Sequence, residues 1–216
     1  MSKRTVRTMV FAVVVTVMMA SMANAATKQL KTVKAKVPPR GSITLFTNFV
    51  GAFPFWDITT GYFVDGANFF NQVLATGFTP SSNVTFADAA LPIGIYTALG
   101  GKQSGKIFAY LATDAGGVPG TIIDGPLTQQ YWAQQFTNNR GGGIIQFNCV
   151  ACPSLSAGTQ YWIIANQSAA TIEDTWDEAD SDFSSPFAFN QVGSITGSWI
   201  SIASGYIRPA WQVDGN

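Results

Sequence analysis

From Gly41 onward, apolar and polar positions alternate over short runs separated by Gly, Pro, Asn and Ser. Ile107, Ala109 and Leu111 alternate with Phe108, Tyr110 and Ala112, a run apolar on both faces, and Tyr161, Ile163 and Ala165 alternate with Trp162 and Ile164 in the same way. Ile145 and Phe147 oppose Gln146 and Asn148, which predicts a half-buried strand. Phe187 and Phe189 oppose Ala188 and Asn190, and Ile200 and Ile202 oppose Ser201 and Ala203. Successive side chains leave a strand on opposite faces, so period two with β-branched and aromatic residues is its signature. Turn residues are expected to separate the strands at Gly100-Gly101, Gly116-Gly117-Val118-Pro119-Gly120, Gly141-Gly142-Gly143, Ala157-Gly158 and Gly215. Leu127 to Phe136 fits either a strand or one face of a helix. No fixed-period repeat and no intervening amphipathic helix is visible. The pattern predicts an all-β fold, an antiparallel, jelly-roll-like β-sandwich formed as a single domain over residues 41–216.

The segment before Gly41 follows a different logic. Lys3, Arg4 and Arg7 precede an uncharged, mostly apolar run from Thr8 to Met22, and Ala23-Asn24-Ala25 supplies a small-x-small cleavage pattern. This is the arrangement of an export signal cleaved after Ala25, and the run is shorter than the roughly 20 apolar residues of a membrane span. Residues 26–40 carry Lys28, Lys31, Lys34, Lys36 and Arg40 without an acid and end at Pro38-Pro39, which predicts a basic, flexible leader. The mature chain is therefore expected outside the cytoplasm, extracellular or periplasmic, without a transmembrane segment.

Composition narrows the chemistry. The 216 residues include no histidine, so imidazole-based catalytic pairs and metal sites are excluded. Charged residues make up 11%, against roughly 25% in average domains, while 47% are hydrophobic, enough for a substantial core. The formal net charge of zero conceals an asymmetry: residues 41–216 hold four basic residues against twelve acidic ones, a net −8. Without a basic patch in the body, nucleic acid is not an expected partner.

Three constellations merit chemical reading. Cys149-Val150-Ala151-Cys152 is the only cysteine pair, and in an oxidising compartment it is expected to form a disulfide. A strand leads into it, so the helix N-terminus that activates a redox CxxC pair is missing. Gly100-Gly101-Lys102-Gln103-Ser104-Gly105-Lys106 approaches a phosphate-binding loop but continues with Ile107 where Ser or Thr should hold magnesium, so it reads as a hairpin loop. Half of all the acids lie between Glu173 and Asp182. There, Glu178, Asp180 and Asp182 are candidate calcium ligands, because hard oxygen donors at short spacing suit that ion. Trp176 is a candidate platform on which a sugar stacks between carboxylates. The competing reading makes this segment a solvated acidic loop or a charged edge strand. A glycosidase needs carboxyls facing each other across a bond, usually from different strands, and these share one segment.

Two further motifs carry a resemblance. Asp114-Ala115-Gly116-Gly117-Val118-Pro119-Gly120 and Leu155-Ser156-Ala157-Gly158-Thr159-Gln160-Tyr161-Trp162 resemble the D-x-x-G-x-P-G and L-x-A-G-T-x-Y-W segments of bacterial choice-of-anchor domains. Phe46-Thr47-Asn48-Phe49, Gly77-Phe78-Thr79 and the stretch from Pro209 to Gly215 fall where such domains begin, continue and end. The resemblance implies a secreted β-sandwich, often followed by a surface-sorting tail of PEP-CTERM type that this sequence does not show, and it brings no catalytic residues. Physically, Asp114 is expected to accept turn amides, Gly117 and Gly120 to supply backbone freedom, Pro119 to fix the exit, and Tyr161 and Trp162 to occupy opposite strand faces. The expected function is a non-catalytic extracellular or surface-matrix interaction module, with a carbohydrate-binding module as the alternative, glycan hydrolysis a remoter one, and no cofactor other than a candidate Ca²⁺.

Overall fold

The computed structural model describes residues 42–49, 56–65, 72–96, 107–137, 140–167, 173–179, 182, 184–191, 193–203 and 205–216. The signal sequence and leader expected before Gly41, and the loop from Gly100 to Lys106, lie outside them.

Strands follow one another along the described chain: β1 (Ile43–Thr47), β2 (Trp56–Asp65), β3 (Val73–Phe78), β4 (Val84–Tyr96), β5 (Ile107–Asp114), β6 (Pro119–Asp124) and β7 (Thr128–Thr137). They continue with β8 (Arg140–Asn148), β9 (Ser154–Leu155), β10 (Tyr161–Gln167), β11 (Glu173–Ala179), β12 (Phe187–Asn190), β13 (Ile200–Ser201) and β14 (Gln212–Gly215). All pairings are antiparallel, in two sheets. The long strand β4 is the spine of the first. On one flank β8 pairs with residues 88–96 and carries β7. On the other, β14 pairs with residues 86–90 and β11 with residues 93–96, with β1 outside β14 and β2 outside β11. The second sheet runs β13-β12-β3-β10-β5-β6.

The sheets pack face to face. Tyr62 of β2 meets Phe187 of β12 with ring centroids 4.6 Å apart, and Trp211 meets Phe78 of β3 edge-on at 5.7 Å. Between them Leu91, Ile93, Phe147 and Trp176 from the first sheet, with Leu74, Leu111 and Ile163 from the second, are fully buried. Each such side chain contributes about 1.5–3 kcal/mol relative to exposure. The second sheet has another apolar layer on its outer face, where Val73, Ala75, Trp162 and Ile164 lie beneath Val118, Ile122, Ile195 and Trp199. Burial on both sides explains why residues 107–112 and 161–165 read as apolar in both registers. The expected antiparallel β-sandwich is thus the observed fold.

Several local expectations change. Gly141-Gly142-Gly143 is no turn: it lies inside β8, paired with Ile95, Gly94 and Ile93 on one side and Phe136, Gln135 and Gln134 on the other. Ladder bonds from both neighbours hold a backbone that glycine alone would leave loose. Gly215 likewise ends β14. The ambiguous segment from Leu127 is strand β7, with Leu127 buried and its N–H donating to Ala109 O at 2.8 Å. Gln146 and Asn148 are buried like Ile145 and Phe147, so β8 is not half-exposed over these residues. From Glu173 to Ala179 the acidic segment is neither loop nor edge: it is β11, which lies between β2 and β4. Gly77 is fixed by close approach, since a Cβ there would sit 2.8 Å from Pro186 Cβ.

Phe147 on β8 is fully buried. Phe147→Ala is expected to cost about 3–5 kcal/mol, read as a lower urea midpoint at unchanged m.

Candidate functional site

The two motifs quoted above meet at one carboxylate. Asp114, at the end of β5, accepts from the N–H groups of Gly116 and Gly117 at 3.0–3.1 Å, closing the turn into β6. Gly117 has φ +87°, a left-handed conformation that glycine takes without strain, and Pro119 starts β6 opposite Asp114. The same Oδ1 accepts from Gln160 Nε2 at 2.9 Å and from Trp162 Nε1 at 2.8 Å. Trp162 is wholly buried, so its indole N–H needs this acceptor. Tyr161, on the opposite face, packs against Phe78 and accepts from Ser156 N at 3.0 Å.

A second carboxylate organises the cysteine loop. The disulfide between Cys149 and Cys152 is present, with Cα atoms 4.9 Å apart. Asp124, buried at the end of β6, accepts from Val150 N, Ala151 N and Cys152 N at 2.9–3.3 Å. Cys152 takes φ +47° to complete this turn. The amides of the cysteine loop are thus directed at Asp124 and not at a sulfur. Beside it opens a recess of about 460 Å³, bordered by Thr85, Thr128, Asn148, Asn216 and both cysteines. Thr85 and Thr128 bring hydroxyls to it and Asn148 and Asn216 side-chain amides.

Asp182 forms the third centre. Its Oδ1 accepts from Ser184 N and Ser185 N at 3.0 Å, and its Oδ2 from Asn48 Nδ2 at 3.0 Å and from the Ser185 hydroxyl. Burial alone would raise its pKa, but hydrogen bonds from Ser185, Ser184 and Asn48 outweigh burial and hold it below the ordinary value of 3.8. Asn48 also donates to Pro209 O and accepts from Trp211 N, joining the first strand to the closing segment. Nearby, buried Arg208 donates to Ala203 O at 3.0 Å and lies 5.7 Å from the centroid of the Phe187 ring.

The tryptophan expected to receive a sugar does not present a face to solvent. Trp176 has no exposed surface, and its Nε1 donates to Ala210 O at 2.8 Å. Its position on β11, opposite Tyr62 and Ile93, points it into the core; the stacking-platform reading is corrected accordingly. Of the candidate calcium ligands, Asp182 has both oxygens occupied by protein donors. Asp180 and the side chain of Glu178 lie outside the described residues. Among the described residues, no group of three or more acidic or thiol side chains is placed to hold a metal. The bonding roles of Asp124 and Asn48 are not legible in the sequence, because their partners lie far along the chain and no spacing pattern advertises such bonds.

No family model matches the chain, and no curated protein or solved structure does so. The fold and its bonded centres define the class: an all-β sandwich in which scarce carboxylates secure turns and crossings.

Asp114→Ala strands the buried Trp162 N–H and is expected to destabilise by about 2–4 kcal/mol. Adding Trp162→Phe should change the cost of that substitution, because the orphaned donor is then gone; thermal or urea unfolding of the double-mutant cycle checks the coupling. Because the Asp182 pKa is lower folded than unfolded, its contribution is fully present above the unfolded value and disappears as pH falls through the folded one. Asp182→Asn should therefore flatten the acid side of the stability–pH curve below about pH 4, measured by urea midpoints.

Proposed function

We propose that this chain is an exported, non-catalytic β-sandwich that serves as an extracellular or surface-matrix interaction module, akin to the choice-of-anchor domains. The observation carrying this reading is the use made of Asp114, Asp124 and Asp182: both oxygens of each accept from protein donors. A general acid or nucleophile needs an oxygen free for substrate. The kinship is supported by the contact between the two quoted motifs, whose most distinctive residues, Asp114 and Trp162, bond directly.

The recess beside the disulfide favours a second reading, carbohydrate binding. Thr85, Thr128 and Asn216 supply hydroxyl and amide groups suited to sugar hydroxyls, in place of the buried Trp176.

Labelled chain spanning residues 26–216 is to be offered to isolated envelopes and secreted polymer of the producing cells, and to a glycan array. Saturable retention on envelope material, unaffected by Thr128→Ala or Asn216→Ala, is the expected result. Glycan binding abolished by those substitutions would replace the interaction reading with the carbohydrate one. Multiple-turnover cleavage of a chromogenic glycoside would overturn both.

A further inference from the structure

A row of polar side chains crosses the outer face of the β4 sheet. In exact cross-strand register, Thr44 of β1 faces Asp214 of β14, Asp214 faces Asp88 of β4, Asp88 faces Asn148 of β8, and Asn148 faces Thr128 of β7. Directly paired residues project from the same face. That face is opposite to the inter-sheet core, since Trp211, three positions before Asp214, and Phe147, next to Asn148, point inward. The three central members are nevertheless buried: Asp88 and Asp214 have no exposed surface and Asn148 is 8% exposed.

Two acceptor atoms in this row are unmet. Gln212 Nε2 donates to Asp214 Oδ2 at 2.8 Å, yet Asp214 Oδ1 and Asn148 Oδ1 have no hydrogen-bond partner. Both orphans are acceptors, they flank a third carboxylate-bearing residue, and two like charges directly opposite each other repel. Buried acceptors without donors call for a positive ligand. Arg208, the one cation among the described side chains, donates through Nη2 to Ala203 O, and its charge interactions are with Tyr62 and Asp182 and not with this row. Burial pushes the Asp214 carboxyl up despite the hydrogen bonds from Gln212 and Thr44.

We propose that Asp88, Asp214 and Asn148 form a binding site for one calcium ion. Neighbouring strands lie about 4.8 Å apart, so oxygens from three strands converge above the middle one only around an ion tolerating long bonds. Calcium accepts oxygens at about 2.3–2.6 Å in flexible geometry, whereas magnesium demands near-octahedral bonds of about 2.0–2.1 Å. Asn148 also borders the recess beside the disulfide. The site is separate from Glu178, Asp180 and Asp182, and it does not rest on the interaction reading.

EDTA-treated full-length chain titrated calorimetrically with CaCl2 at pH 7.5 tests this, together with thermal melts at matched ionic strength. One ion per chain is expected, with Tm rising roughly 5–10 °C at a hundredfold excess over Kd and MgCl2 giving a much smaller shift. Asp214→Asn, which keeps the side-chain shape, should lower calcium affinity at least tenfold while the calcium-free protein still melts cooperatively. Asn148→Leu should do the same, and Asp214→Asn decides if that variant does not fold. Glu178→Gln and Asp182→Asn should leave calcium binding unchanged. Absence of both heat and Tm shift in the parent chain would overturn the proposal. So would a response that survives Asp214→Asn or vanishes with Glu178→Gln.

Discussion

The hydrogen bond from Trp162 Nε1 to Asp114 Oδ1 is the contact on which the second sheet is organised. Its 2.8 Å separation joins β10 to the turn between β5 and β6, across 48 positions of sequence. Trp162 belongs to the apolar layer on the sheet's outer face, where an indole is favourable only if its N–H is satisfied. The carboxylate that satisfies it also closes the turn through two glycine amides. Core burial, turn conformation and strand order therefore depend on one side chain, and none of them could change without disturbing the others.

The same device recurs. A protein of sheets alone must cross repeatedly between layers, and every crossing leaves backbone N–H groups without ladder partners. Asp124 collects those of the disulfide loop, and Asp182 collects those at Ser184 and Ser185 while reaching Asn48. An ionised carboxylate accepts several such bonds at once, more strongly than a neutral group. Three of the twelve acids in the chain are committed to architecture in this way.

Legibility in the sequence followed the range of the interactions. Strands such as β5 and β10 were visible because period two is a local property, and the Asp114 turn because its glycines and proline act within a few residues. The Cys149–Cys152 bridge spans three positions and was equally plain. Gly141-Gly142-Gly143 misled because glycine composition signals freedom, and only pairing with β4 and β7 removes it. Trp176 misled because its acidic neighbours suggested solvent, while β2 and β4 enclose the strand that carries it.

By itself, then, the amino-acid order determined the β-class, the Asp114 turn and the disulfide, all set by steric and hydrogen-bonding preferences over a few residues. The tertiary structure alone decided which face of each strand is dry, which aspartate meets which amide, and that Asp214, Asp88 and Asn148 stand side by side. Those outcomes follow from pairing between strands distant in sequence, and cross-strand register is a property of two segments that neither contains alone.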